Sequence, residues 1–372
     1  EYRRQRQMCI RDSYASSLPV VRYLAPNFTY ETDVRQLSSG PDSYSAGIVS
    51  RSVAPSNQGN NSLGLDTLTN NYNQFVNNDI SGFGFGVVSL GVGPLFYNDI
   101  AANGNPRFQR YYNKGTVING NTISSVRRAG VFTGYGESES ISGNRIINVG
   151  IGATGASGQA AGIMVGGEAR TGQICYNSIG ATIARNEISN VSSDIAAQGI
   201  YVEQTINSFV NPAGGNVTFP NVNEATKVVG NMVYAISRTN QTTTAAGIHL
   251  LTSRSLTATG LNKLITPQST SYNTRGDSVL NNTVVMSGDA VSSGSSVVGI
   301  GIQQATNAVA INNAIAVSGA ASSVNTAAGN VMACLFYQGT SPKASSGVAG
   351  LLPAVSGGLT SNRNAFFAPT AA

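Results

Sequence analysis

The sequence predicts an all-β solenoid, in which short strands stack coil upon coil. Three observations carry that reading. A nine-residue pattern (apolar, two others, Asn, one other, apolar, two others, usually apolar) recurs seven times. A five-residue pattern (small, Gly, apolar, any, apolar) alternates with it along the chain. The composition suits turns and strands: 43 of 372 residues are Gly and only 10% are charged, against roughly 25% charged in an average soluble domain. Low charge with 41% hydrophobic residues excludes a charged disordered tail. The absence of Ala/Glu/Lys/Leu/Arg heptads argues against a coiled coil or helical bundle.

The long pattern reads FVNNDISGF (75–83), INGNTISSV (118–126), ISGNRIINV (141–149), IARNEISNV (183–191) and VVGNMVYAI (228–236). Weaker copies are VLNNTVVMS (279–287) and AINNAIAVS (310–318). Its Asn residues are Asn78, Asn121, Asn144, Asn186, Asn231, Asn282 and Asn313. Each lies between two short apolar segments, where the chain must bend, and Asn tolerates the left-handed backbone region. The five-residue pattern reads AGVFT (129–133), AGIMV (161–165), QGIYV (198–202), AGIHL (246–250) and VGIGI (298–302), with a partial copy AGIVS (46–50). Its apolar residues alternate with period two, a strand signal.

Successive Asn are 43, 23, 42, 45, 51 and 31 residues apart. A globular sandwich has no need of the same residue at every turn, but a solenoid does. If each pair of patterns forms one coil, equivalent positions stack about 4.8 Å apart. The Asn side chains then form a ladder, each amide donating to one neighbouring coil and accepting from the other. The core is stacked Ile and Val. Unequal spacing maps to loop insertions that leave the register intact.

Residues 3–13 read RRQRQMCIRDS. This string resembles the conceptual translation of a transposon-based sequencing adapter, which implies a gene fragment from an environmental (metagenomic) assembly. Segments 1–13 are therefore set aside from fold reasoning, residues 14–40 are a lead-in or partial first coil, residues 41–340 the β-helix, and residues 341–372 a final coil remnant or tail. Without residues 1–13 the balance is 18 basic against 15 acidic residues, +3 instead of +5. The apparent pI of 9.1 is then no sign of nucleic-acid binding. Cys9 drops out, leaving Cys175 and Cys334 as small buried or half-buried residues. No apolar run reaches the roughly 18 residues of a membrane-spanning helix.

The alternation of I-x-x-N-x-I-x-x-V with A-G-I-x-V resembles right-handed parallel β-helix proteins of the pectate-lyase-like fold. More narrowly, it resembles large secreted surface proteins of Bacteroidota-type bacteria, over roughly residues 40–370. The late stretches NNTVVMSG, INNAIAV and SNRNAFFAP (361–369) resemble the usual end of such a solenoid. The resemblance implies a right-handed helix of seven or eight coils and an extracellular or bacterial cell-surface location.

Catalytic chemistry is poorly supported. β-Helix hydrolases and lyases of acidic polysaccharides need clustered carboxylates, and inverting hydrolysis needs two carboxyls roughly 6.5–9.5 Å apart. The chain has no Asp-Asp pair, no Gly-His-Gly, no Asp-x-Asp and no G-x-S-x-G elbow. One His and two distant Cys give no zinc-ligand spacing, and scattered acids do not supply calcium's six to eight oxygens. No catalytic residue, metal or cofactor is assigned. In the five-residue pattern the apolar residues point inward and the residue between them points away from the core. Stacking aligns Phe132, Met164, Tyr201, His249 and Gly301, with Glu203 two residues beyond Tyr201 on the same face. Two readings stand: a sugar-stacking or partner-binding strip, and a satellite core covered by long loops, with the second favoured.

Insertions 89–115, 203–226 and 252–276 all leave after this strand, so any ligand is expected on that flank. Arg145 and Glu187 fall on equivalent positions of successive coils and are expected to pair as a surface contact. The sequence thus predicts a non-catalytic structural or adhesin-like surface scaffold that binds polysaccharide or cell-surface glycan. The alternative is a polysaccharide lyase or glycoside hydrolase. Nucleic acid is not an expected partner. Open coil edges predict end-to-end self-association.

Overall fold

The computed structural model describes residues 22–25, 28–31, 46–51, 69–91, 93–98, 106–150, 160–166, 178–194, 196–205, 208–210, 216–218, 225–238, 244–253, 276–288, 296–303, 307–319, 331–338 and 358–367. Residues 1–13 and Cys175 lie outside these. Every regular element among the described residues is a strand. Three parallel sheets of eight strands each wind into a right-handed β-helix. We call them the entry, exit and glycine sheets.

The entry sheet begins with Gln74–Val76 and Val117–Asn119 and ends with Leu359–Asn362. The exit sheet follows one turn later, from Asp79–Ser81 and Thr122–Val126 to Ala365–Phe367. The glycine sheet runs from Ala46–Arg51 through Phe85–Leu90, Ala129–Gly134, Ala160–Val165, Ala196–Thr205, Thr244–Ser253 and Ser296–Gln303 to Val331–Gln338. Antiparallel hairpins interrupt the parallel order: Arg22–Ala25 with Phe28–Glu31, Gly93–Asn98 with Pro106–Tyr111, and Ser208–Val210 with Asn216–Thr218. The last two belong to insertions that leave the glycine sheet, as the spacing predicts. The first is no copy of the repeat.

The predicted asparagines form a continuous ladder between the entry and exit sheets. Asn186 shows the pattern. Its Nδ2 donates to Asn231 Oδ1 at 3.0 Å and to the Ile141 carbonyl at 2.9 Å, while its Oδ1 accepts from Asn144 N and Nδ2 at 3.0 and 2.9 Å. Every polar valence of the buried amide is used, so burial leaves no orphan donor or acceptor. The ladder has one rung more than the sequence pattern gave. Asn313 donates to Asn364 Oδ1 at 2.9 Å, and Asn364 turns its own amide onto Ser361 Oγ at 3.0 Å.

The ladder residue is not the one that takes the left-handed conformation. The residue before it does, in all eight coils: Asn77, Gly120, Gly143, Arg185, Gly230, Asn281, Asn312 and Arg363, with φ from 51° to 67°. The Asn itself is retained for its side chain, and the bend falls one position earlier. A second left-handed residue lies four positions after the ladder in the first five coils, at Gly82, Ser125, Asn148, Asn190 and Ala235. It is skipped in the pairing: Ser124 faces Ile147 and Val126 faces Val149. This bulge explains the three-residue step between the two apolar positions of the long pattern. Strand alternation would turn the second outward; one extra residue returns Val126, Val149, Val191 and Ile236 to the core. In the sixth and seventh coils the step shrinks to two and no left-handed residue follows, so Met286 and Val317 are buried by plain alternation. The register shift between Tyr234 and Ile236 marks the change.

The glycine of the short pattern has a steric cause. A Cβ on Gly162 would overlap Ile188 Cγ2 and lie 2.7 Å from the Gly199 carbonyl oxygen of the next coil. The same pair of obstacles, a β-branched residue and the next carbonyl, meets Gly86, Gly130, Gly199, Gly247 and Gly299. The glycine sheet therefore packs its backbone directly onto the exit-sheet side chains. In the last coil both partners change together. Cys334 replaces the glycine, and Phe366, unbranched at Cβ, stands in register with Ile315.

Candidate functional site

The residues between the two apolar positions of the short pattern do align. Phe132 pairs with Met164, Met164 with Tyr201, Tyr201 with His249, and His249 with Gly301. They point away from the helix interior, but Phe132, Met164 and Tyr201 are buried, in a second hydrophobic cluster with Phe85, Leu90, Tyr112, Tyr135 and Ile179. Phe85 and Phe132 lie 6.0 Å apart between ring centroids, and Tyr112 and Tyr135 5.6 Å, both tilted. Tyr112 and Tyr135 were not singled out in the sequence, because neither falls on either pattern.

The column becomes polar at its middle. Tyr201 donates its hydroxyl hydrogen to Glu203 Oε2; the two residues are two apart on one strand and face the same side. The Tyr201 ring lies 5.5 Å from the half-buried His249 ring. Gln198 Nε2 sits 3.1 Å from His249 Nδ1, a contact in which the amide donates when the imidazole proton is on Nε2. Gln198 is the residue that sequence reasoning missed. It pairs with Ala161 and Ala246, and is the one non-small residue at its position in the motif copies that follow the partial first one and end in the AGIHL coil. That departure was its visible signal. Two hydrogen-bonded dyads, phenol–carboxylate and carboxamide–imidazole, thus lie side by side. Gln198, Tyr201 and Glu203 are buried, and of the four only the half-buried His249 can meet a ligand directly. The residue in register with Glu203 is Leu251, so this geometry offers no paired carboxylate there.

Arg145 Nε lies 3.6 Å from Glu187 Oε2, as the register predicts, and Tyr234 donates to Glu187 Oε1 at 2.7 Å. Both charged groups are exposed, and such a pair contributes little. Cys334 is half-buried and its thiol is pushed up by burial, which makes it a poor nucleophile. Among the described residues no group of three His, Cys, Asp or Glu converges on a metal position, and no helix is long and apolar enough to cross a membrane.

One carboxylate strongly perturbed by its surroundings is one the sequence patterns did not mark. Glu139, 2% exposed, precedes the entry strand Ser140–Ser142. Its carboxyl lies over Gly136, in space that a Cβ there would occupy. Burial pushes its pKa from 4.5 up to about 7, and the hydroxyls of Thr133 and Ser178 pull the other way. Compared with known proteins, the chain matches no family model, no curated sequence and no solved structure.

Proposed function

We propose that this chain is a non-catalytic extracellular or cell-surface scaffold, a rigid β-helical spacer of the adhesin-like kind that engages polysaccharide or cell-surface glycan. The observation that carries this reading is the closed asparagine ladder. It runs through eight coils with every amide partnered, a construction that supports rigidity along the axis. The low net charge supports a partner other than nucleic acid. The test is incubation of the purified 372-residue chain with polygalacturonate, alginate and neutral glycans. The expected result is retention on glycan resin with no product. New reducing ends or ultraviolet-absorbing unsaturated sugars would overturn it.

A second reading, a carbohydrate-active enzyme, is favoured by one observation: Glu203 and His249 come together with Tyr201 and Gln198 on one sheet face. A Tyr201→Phe, His249→Ala double variant separates the two. Loss of turnover would support the enzyme, and loss of retention alone the binding module. End-to-end association is supported by Phe366 and Phe367, 53% and 64% exposed on the last coil. Phe366→Lys should then lower the mass seen by light scattering.

A further inference from the structure

One interior corner, where the glycine sheet hands the chain to the entry sheet, is polar in the first coils and changes along the stack. On the sheet side the stacked residues are Ser50, Ser89 and Thr133, followed by Val165, Val202 and Leu250. On the turn side Asn73, Thr116 and Glu139 occupy equivalent places, since Val117, Ser140 and Thr182 of the following coils donate to their carbonyls. In the first coil the two sides satisfy each other, Asn73 Nδ2 donating to Ser50 Oγ at 3.0 Å.

The next two coils differ. Ser89, Thr116 and Thr133 are wholly buried and Glu139 nearly so. Ser89 Oγ and Thr116 Oγ1 have no hydrogen-bond partner, and the Thr133 and Ser178 hydroxyls approach the Glu139 carboxyl without satisfying both of its oxygens. They are neighbours: Ser89 pairs with Thr133, Thr116 stacks under Glu139, and Thr133 and Ser178 sit beside the carboxyl. Ser178 Oγ accepts the Gly136 N–H at 3.3 Å, which turns its remaining capacity toward the same place.

Three buried hydroxyls beside a carboxylate whose own two oxygens are not satisfied are not a stable arrangement by themselves. Buried polar atoms find partners, and a buried charge is matched by an opposite one. Neighbouring buried oxygens that do not fully satisfy one another are placed to share a guest. The oxygens of the corner are hard ligands and carry a single negative charge; the buried Asn113 amide nitrogen, in register with the Gly136 over which the carboxyl lies, is no cation ligand. A divalent ion would leave that charge overcompensated, and calcium sites draw on several carboxylates. We propose that this corner binds one small monovalent cation of the sodium or potassium class, held by the Glu139 carboxylate with hydroxyls of Ser89, Thr116, Thr133 and Ser178.

The test is thermal unfolding of the full chain at pH 8 and constant ionic strength, with N-methyl-D-glucamine, sodium, potassium or calcium as the chloride. Sodium or potassium should raise the midpoint saturably by about 3 °C or more over N-methyl-D-glucamine. Glu139→Gln should fold, with unchanged circular dichroism, and lose that rise. Thr133→Val keeps the charge and removes one ligand; it should need several-fold more cation for half of the rise. Equal midpoints in all salts would overturn the proposal and leave a protonated acid among buried waters. So would a rise with calcium alone, or an equal rise in Glu139→Gln.

Discussion

Glu139 and Asp277 occupy the same row of the solenoid, three coils apart, and both are buried. They differ in what the neighbouring coil gives them. Asp277 Oδ1 accepts the Thr226 backbone N–H at 2.8 Å, because the Thr226 coil directs that donor at it. Glu139 has no backbone donor, and only the Thr133 and Ser178 hydroxyls flank its carboxyl. The asparagine row, in contrast, meets the same donors and acceptors in every coil. In a stacked fold, then, the cost of a buried polar group is set by the coil above and below more than by its own strand.

The contrast is broken most severely on the ladder itself. Asn186→Ala would orphan the Ile141 carbonyl, the Asn144 backbone N–H and one of the two Asn144 Nδ2 hydrogens, and would leave Asn231 Oδ1 with the residue-186 backbone N–H alone. A loss of about 5 kcal/mol is expected, near the upper end for a single substitution. Asn364→Ala removes the end rung, which is only part-buried, and should lose about 1 kcal/mol. Urea unfolding of the two variants measures the difference. Equal losses would mean that the ladder is not a continuous buried network.

The corner should respond with the opposite sign. Glu139 has its pKa raised from 4.5 to about 7, so the unfolded chain releases this proton first as pH rises. Its contribution to stability is therefore complete below pH 4.5 and is lost as pH climbs through about 7. The loss is about 3 kcal/mol by linkage. In N-methyl-D-glucamine buffer, Glu139→Gln should be about 3 kcal/mol more stable than wild type at pH 8, with little difference at pH 4.5. A pH-independent difference would show that the carboxyl is not charged on folding in that range. Asp277→Ala should instead destabilise at pH 8, by about 2 kcal/mol, since it strands the Thr226 N–H. Stabilisation there would erase the distinction between the two acids.

What was legible in the sequence follows from repetition. The ladder and the glycine column recur because each coil faces the same neighbours, so Asn144 and Gly130 could be read as patterns before any coordinates. The Arg145–Glu187 contact was legible for the same reason, as a register position. The left-handed residue was harder to see. Its place is filled by Asn, Gly or Arg, because the requirement is on backbone conformation alone. The bulge was hidden inside the three-residue step, which looks like variation until the extra residue is seen. Tyr112, Tyr135, Gln198 and Glu139 lie off the repeat. Their partners come from insertions or from single-coil departures, and a periodic reading has no term for either.

The smallest effect separates conformation from side chain at the ladder turn. Arg185 and Arg363 hold φ of 54° and 51° where other coils place Gly or Asn. A left-handed L-residue is strained by roughly 1–2 kcal/mol, and Gly recovers most of this while giving up some unfolded-state restriction. Gly230, one coil on, would carry a Cβ 3.7 Å from Arg185 Cγ, so the arginine stem has only loose contact there. Arg185→Gly should therefore stabilise the chain by about 0.5–1 kcal/mol, and Arg185→Asn by less. Urea midpoints of the two variants at fixed pH decide it. Destabilisation by both would mean that the arginine side chain, and not the backbone, is what that turn retains.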